Sequence, residues 1–158
     1  MSLLYADTSA LLRAYFVDEP DHETLRAQLL EGEDPVITSE ITRVEIASAI
    51  RAAARAGRLH QWQDLLARID ADAGEEGPLT LIALRSSVVL PTAHRLVLQH
   101  RLRTLDALHL AVALEEAPAL ADEEGVIFVT RDADQATAAA AVGLSTARWE
   151  PGWSATST

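Results

Sequence analysis

The sequence predicts an α/β fold, a mostly parallel central sheet of four to five strands with helices on both faces, hence three layers. Two observations lead there. Short runs of strand length, Leu3-Leu4-Tyr5-Ala6, Val36-Ile37-Thr38 and Val126-Ile127-Phe128-Val129, alternate with longer stretches whose apolar residues recur at helical spacing. The short runs are apolar almost throughout rather than at every second position, as strands covered on both faces are.

In chain order, the first strand ends in Asp7-Thr8-Ser9, and residues 10–16 have helical character. A second helix is expected over 21–30 and a second strand at 36–38. A long helix over 40–56 follows, capped by Ser39 and closed by Gly57. Residues 59–73 form another helix, with Leu59, Trp62, Leu66 and Ile69 at helical spacing, so the two helices make an arm-like pair. After a turn at 74–78 come a strand at 79–82 and helical sequence up to His100, in which Pro91 marks a start or a kink. Thr104 caps a helix over 105–116, and residues 125–130 form a short strand of buried type. Asp132 with Gln135 makes a capping-box pattern ahead of an alanine-rich helix that Gly143 ends. A last strand falls near 145–148, and residues 151–158 read as a polar, frayed tail.

With 158 residues, 49% of them hydrophobic, there is material for one domain with a real core, placed at residues 1–150. The absence of cysteine excludes disulfides, thiolate metal sites and a catalytic thiol. All thirteen basic residues are arginine, and the missing lysine removes Walker A P-loops, kinases and Schiff-base enzymes. A net charge of −11 argues against a protein that holds nucleic acid through a broad positive field, though not against an enzyme acting on RNA. The start has no basic segment, and Asp7 interrupts it before an apolar core could form, so a signal peptide is not expected. No stretch is apolar for the roughly 20 residues a membrane span needs, and a cytoplasmic location is the expectation.

Four carboxylates stand out. Asp7 ends the first strand, where a helix cap would explain it equally well. Glu45 lies more than a turn inside its helix, bracketed by Val44 and Ile46-Ala47. Asp106 sits in Leu105-Asp106-Ala107-Leu108-His109-Leu110-Ala111, a helix apolar nearly all round and expected to be buried, where an acid needs a partner. Asp132 follows the 125–130 strand, and capping also explains it, with Asp134 an exposed alternative. Active sites in parallel sheets lie beyond the carboxyl ends of the strands, so Asp7 and Asp132 should converge there, with Glu45 and Asp106 pointing into the same cleft. Clustered carboxylates repel one another unless a cation compensates them, and oxygen-only ligands favour a hard ion, Mg²⁺ or Mn²⁺.

Four stretches in this order, Tyr5-Ala-Asp-Thr-Ser-Ala-Leu11, Arg43-Val-Glu-Ile-Ala47, Leu102-Arg-Thr-Leu-Asp-Ala-Leu-His-Leu-Ala111 and Val129-Thr-Arg-Asp132, resemble the PIN-domain nucleases, most closely the VapC toxins. The resemblance covers nearly the whole chain and implies a PIN-like fold and a metal-dependent endoribonuclease of a toxin–antitoxin pair. It implies an acidic metal pocket of Asp7, Glu45, Asp106 and Asp132, with Ser9 and Thr130 as supporting or water-holding groups. The choice of Asp132 over Asp134 rests on the Thr-x-Asp pattern. It also implies a VapB-like antitoxin that binds the arm, where Trp62 and the Leu59, Leu66 and Ile69 stripe are anchors unless they are core, and a homodimer. His109 reads as packing, and His22, His60, His94 and His100 as surface residues. Arg13, Arg43, Arg103 and Arg131, near the acids in sequence, are candidates for phosphate contacts.

Two rival readings exist. One is a PIN-like binding module without catalysis, against which the full set of four acids speaks. The other is a phosphatase of the haloacid-dehalogenase type using Asp7 as nucleophile; such enzymes usually carry a lysine, which this chain lacks.

Overall fold

The computed structural model describes residues 1–147; Arg148 and the 151–158 tail lie outside the described residues. In chain order the elements are β1 (Leu3–Ala6), α1 (Thr8–Tyr15), α2 (His22–Leu29), β2 (Val36–Ser39), α3 (Ile41–Arg55), α4 (Trp62–Asp72), β3 (Leu79–Ile82), α5 (Ser86–Gln99), α6 (Thr104–Glu115), a 3-10 turn (Ala117–Ala119), β4 (Val126–Val129), α7 (Ala133–Ala141) and β5 (Ser145–Ala147). The strands form one sheet in the order β3-β2-β1-β4-β5, and every neighbouring pair is parallel.

Strand periodicity divides the core into two layers. Leu4 and Ala6 point to one face, where they join Val36, Val129 and the buried sides of α1 to α4, including Leu11, Ile46, Ile50 and Ile69. Leu3 and Tyr5 point to the other, with Ile37, Phe128 and the apolar sides of α5 to α7, including Val89, Leu96, Leu110 and Ala138. This is the expected three-layer arrangement. β1 sits in the centre with β2 on one side and β4 on the other, so the chain leaves β1 and β4 into helices at the same sheet edge. Their register pairs Ala6 with Val129 and puts the residues that follow, Asp7 and Thr130, next to each other.

Element ends depart from the sequence expectation in four places. Helix α1 begins at Thr8, two residues early, because Asp7 caps it: its carboxylate accepts the Ala10 N–H at 3.0 Å. Ser39 belongs to β2 and only loosely caps α3, its hydroxyl accepting the Ile41 N–H at 3.4 Å; Glu40 precedes the helix, and its carboxylate accepts the Leu84 N–H instead. Thr104 is the first residue of α6 rather than its cap. Helix α4 starts at Trp62, and Leu59 packs against the core from the preceding turn. Gly57 and Gly143 close α3 and α7 as expected, at φ of 74° and 89°, where a side chain would be strained.

Pro91 neither starts nor ends a helix: α5 begins five residues earlier and runs through it. The proline cannot donate to the Ser87 carbonyl, and its ring crowds that group. It lies on the exposed side, so the lost bond faces water. Replacing Pro91 with Ala restores the bond and should raise stability by roughly 1–2 kcal/mol, after allowing for the looser unfolded chain. Urea unfolding of Pro91→Ala against wild type reads this, and a destabilised variant would mean that the ring is needed for packing.

Candidate active site

The four acids singled out in the sequence line one cleft of about 770 Å³ at the carboxyl edge of the sheet, together with Thr8, Ser9, Arg103 and His109. They arrive from four separate segments: the end of β1, the middle of α3, the first turn of α6 and the turn after β4.

Asp7 is only 2% exposed, and three groups hold its carboxylate. The Ala10 N–H donates at 3.0 Å, the Ser9 hydroxyl lies at 2.8 and 3.0 Å from the two oxygens, and the Thr130 hydroxyl donates at 2.7 Å. Burial nonetheless outweighs these bonds and pushes its pKa up. Asp7 therefore both caps α1 and lines the cleft, so a capping role does not exclude a place in the site. Ser9 and Thr130 both hydrogen-bond to this carboxylate. Ser9 also accepts the Arg131 N–H at 3.0 Å, which fixes the turn after β4 against the start of α1.

Asp106 is less buried than its apolar neighbours suggested, with its side chain 25% exposed, because it lies on the cleft side of the first turn of α6. Burial first, then the negative charge of Asp132, raises its pKa, and the Arg103 guanidinium at 3.7 Å only partly opposes this. Asp132 caps α7, accepting the Gln135 N–H at 2.8 Å. The capping box is only half closed, since the Gln135 side chain does not reach back to the Asp132 N–H. It spans instead from the Thr130 hydroxyl, 2.9 Å from its carbonyl oxygen, to the Asp106 backbone carbonyl, to which it donates at 3.1 Å. Fully buried Gln135 thus joins two of the site's segments, the turn after β4 and the start of α6, a role its place in a capping pattern concealed. Asp134 is exposed and faces a flanking trough lined by His100, Arg101 and Arg103 rather than the cleft shared by the other acids.

Glu45 is held at one oxygen. Its Oε1 accepts the Thr8 hydroxyl at 2.9 Å and lies 2.6 Å from His109 Nε2. His109 is buried, as expected, but it is a member of the site's hydrogen-bond network rather than simple packing: its Nδ1 lies 2.9 Å from the Tyr5 hydroxyl. Histidine and glutamate 64 positions apart carry no local pattern that could reveal this pairing.

The arginines divide. Arg103 lines the cleft. Arg13 and Arg131 meet on a single oxygen of Asp21, at 3.6 and 2.5 Å, and the Arg131 Nε is buried without a partner among the described residues. Asp21 holds this place from a left-handed backbone conformation, φ 63°, which asparagine and aspartate tolerate better than most residues. Arg43 turns away to pair with Asp70 on α4 and is not brought to the cleft. Two of the histidines expected at the surface are half-buried: His22, whose Nδ1 donates to the Arg13 carbonyl at 2.8 Å, and His100.

The donor set suits a hard divalent cation: oxygen only, acidic, and carrying mutual repulsion that a cation would relieve. Among the described residues no three carboxylate or imidazole groups converge on one point.

The upward shifts of Asp7 and Asp106 mean that the folded chain binds these protons more tightly than the unfolded chain. The stability this gives at low pH is lost as the pH rises from the ordinary carboxylate value through the raised ones. In metal-free buffer, Asp106→Asn should therefore be more stable than wild type at neutral pH, with the gap closing as the solution is acidified. Unfolding curves at a series of pH values check this, and a variant weaker than wild type at neutral pH would show that the Arg103 pairing outweighs the penalty.

The PIN domain family matches residues 4–141 of the chain. Among solved structures the fold is similar to that of Mycobacterium tuberculosis VapC20, described as a sarcin–ricin loop cleaving toxin, at 18% identity and a TM-score of 0.60 over 89% of this chain and 95% of that one. It is similar also to VapBC2 from Rickettsia felis, described as bound to a DNA fragment from its promoter (12% identity, TM-score 0.61, 94% of this chain and 99% of that one). VapBC-1 from nontypeable Haemophilus influenzae matches at 12% identity and a TM-score of 0.57, over 91% of this chain and 96% of that one. No curated protein matches the chain. The family match spans most of the sequence, the strands run parallel in one sheet, and the four acids share the cleft at its carboxyl edge: the chain belongs to the PIN domain family.

Proposed function

We propose that the chain is a divalent-metal-dependent endoribonuclease and the toxin half of a toxin–antitoxin pair. The observation that carries the proposal is the meeting of Asp7, Glu45, Asp106 and Asp132 in one cleft, two of them with raised pKa, in a protein of this family. Asp7 and Asp106 would hold Mg²⁺ or Mn²⁺ directly, and Glu45 and Asp132 would complete the cage or act through bound water. When bound, the ion would supply Lewis-acid chemistry, activating water for in-line attack and neutralising charge on the scissile phosphodiester. Ser9 and Thr130 keep the Asp7 carboxylate oriented, and Gln135 keeps the Asp106 and Thr130 segments in register. The expected products carry 5′-phosphate and 3′-hydroxyl ends.

RNA must approach this acidic chain through a local exception. Arg103 stands at the cleft, and Arg13 and Arg131 lie on the α1 side, where two guanidiniums share one carboxylate and leave a positive excess. The flanking trough adds Arg101. Guanidiniums suit bidentate phosphate contacts. Arg43, paired with Asp70, contributes least to such a path.

The similar structures include VapB–VapC complexes, which supports a VapB-like antitoxin as partner. A groove of about 370 Å³ between the end of α1 and the arm, lined by Phe16, Val17, Leu59 and Leu65 with Arg58 beside it, is its proposed seat. Ile69 is core and drops out as an anchor, while Trp62 is half-buried beneath the Arg51 guanidinium and keeps an accessible edge. The exposed Leu90 and Leu98 on α5 are the proposed face of a homodimer. Among the described residues no helix is long and apolar enough to cross a membrane.

Brief expression of wild type in cells should produce discrete new 5′-phosphate RNA ends and growth arrest, and Asp106→Asn at equal protein level should produce neither. Identical end profiles from both proteins would favour the non-catalytic binding reading. Charge reversal at Arg13 and Arg131 together should raise the RNA concentration needed for half-maximal cleavage about tenfold or more while leaving Mn²⁺ affinity intact, because loss of each good phosphate contact costs about 1–3 kcal/mol. Unchanged RNA affinity in that double variant would remove the α1 side from the substrate path.

A further inference from the structure

The four acids are not held equally. Asp7 has three hydrogen-bonding groups around it, and Asp132 is pinned by the N-terminus of α7. Glu45 has the longest side chain of the set, projects from mid-helix, and depends on two contacts for its position: Thr8 and His109, both at Oε1. Its Oε2 has no hydrogen-bond partner among the described residues and belongs to a side chain that lines the cleft.

The hydrogens on this network can be placed. An ionised carboxylate only accepts, so the ring hydrogen of His109 sits on Nε2, facing Glu45 at 2.6 Å with Thr8 Oγ1 beside it at 3.1 Å. Nδ1 is then an acceptor, and the Tyr5 hydroxyl donates to it at 2.9 Å. The Tyr5 phenol is fully buried on the central strand, where burial keeps it protonated. The Tyr5 ring is itself fixed by stacking on Phe128, 5.5 Å between centroids and 9° from parallel. A continuous relay therefore runs from the Tyr5 side chain on the central strand through His109 to one oxygen of Glu45, every link of it buried except the last.

We infer that His109 is a positioning residue for Glu45: backed by Tyr5 and flanked by Thr8, it fixes Oε1 so that Oε2 is presented to the cleft. The inference rests on the metal-dependent nuclease reading. It differs from a packing role, because packing would be served by any side chain that fills the same volume, whereas positioning needs a hydrogen-bond donor at the place of Nε2. Partners that orient a ligating group in this way typically change metal affinity by about 10–100-fold when removed.

The test is Mn²⁺ binding to the full chain, followed by the loss of the free-ion EPR signal and checked against each variant's thermal unfolding. His109→Leu should bind Mn²⁺ about 10–100-fold more weakly than wild type. His109→Gln, which can place an amide N–H near the position of Nε2, should recover most of that loss. In a Glu45→Gln background the His109→Leu step should change affinity by less than about twofold, since the group it positions is gone. Equal weakening in both backgrounds, or His109→Leu binding as wild type does, overturns the inference. Should His109→Leu fail to fold, Tyr5→Phe decides: it removes only the bond behind Nδ1 and should weaken binding by about threefold to tenfold, and unchanged affinity there overturns the inference too. A wild-type chain that binds no Mn²⁺ would instead sink the nuclease reading itself, and the positioning role with it.

Discussion

The carboxylate of Asp7, 2% exposed at the end of the central strand, is the constraint on which the rest of the site depends. A buried charge must be compensated by donors, and the donors here come from three places: the first turn of α1, the Ser9 hydroxyl and the Thr130 hydroxyl after β4. Each satisfies the charge and fixes an element at once. The Ala10 N–H sets where α1 begins, and Thr130 can reach only because β1 and β4 are adjacent and in register, a pairing continued by the Asp7 N–H bonding to the Val129 carbonyl at 3.1 Å. Capping and chemistry are thus one arrangement.

Around that anchor the site is deliberately under-compensated. Partial burial of Asp106, then the charges of Asp132 and Glu45, raise its pKa, and the weakly placed Arg103 only partly opposes them. Better-formed ion pairs lie elsewhere, as at Arg85–Glu116 and Arg58 with Asp18 and Glu19. Those exposed pairs contribute little to stability. Buried polar side chains carry the organisation: Gln135 links the segments of Asp106 and Thr130, and His109 links the sheet to α3. Both sit on helices whose remaining inward residues are alanine, leucine and valine, and each meets its partners from other elements.

The sequence by itself determined the fold class and pointed to four acids that the structure places in one cleft. Near-continuous apolar strands alternating with helices leave few arrangements other than a covered parallel sheet, and acids at the ends of β1 and β4 must then share an edge. The four motif stretches located Glu45 and Asp106 as well, because each lies in a local pattern a few residues long. Helix ends at Gly57 and Gly143 were legible for the same reason, a positive φ being a property of one residue. Tertiary structure alone decided the contacts between distant segments. Ser39, Thr104 and Pro91 each carry a local propensity that packing overrode, so their expected roles shifted. His109 and Gln135 looked like core and cap, since nothing in their neighbourhood along the chain names Glu45 or Asp106 as a partner. Asp21, far from the acids in pattern, gathers Arg13 and Arg131, while Arg43, adjacent to Glu45 in sequence, turns to α4. The physical reason is one of range: propensity and capping act over a single turn, but hydrogen bonds and ion pairs across 30 to 120 residues exist only once the sheet has set which strand ends lie side by side.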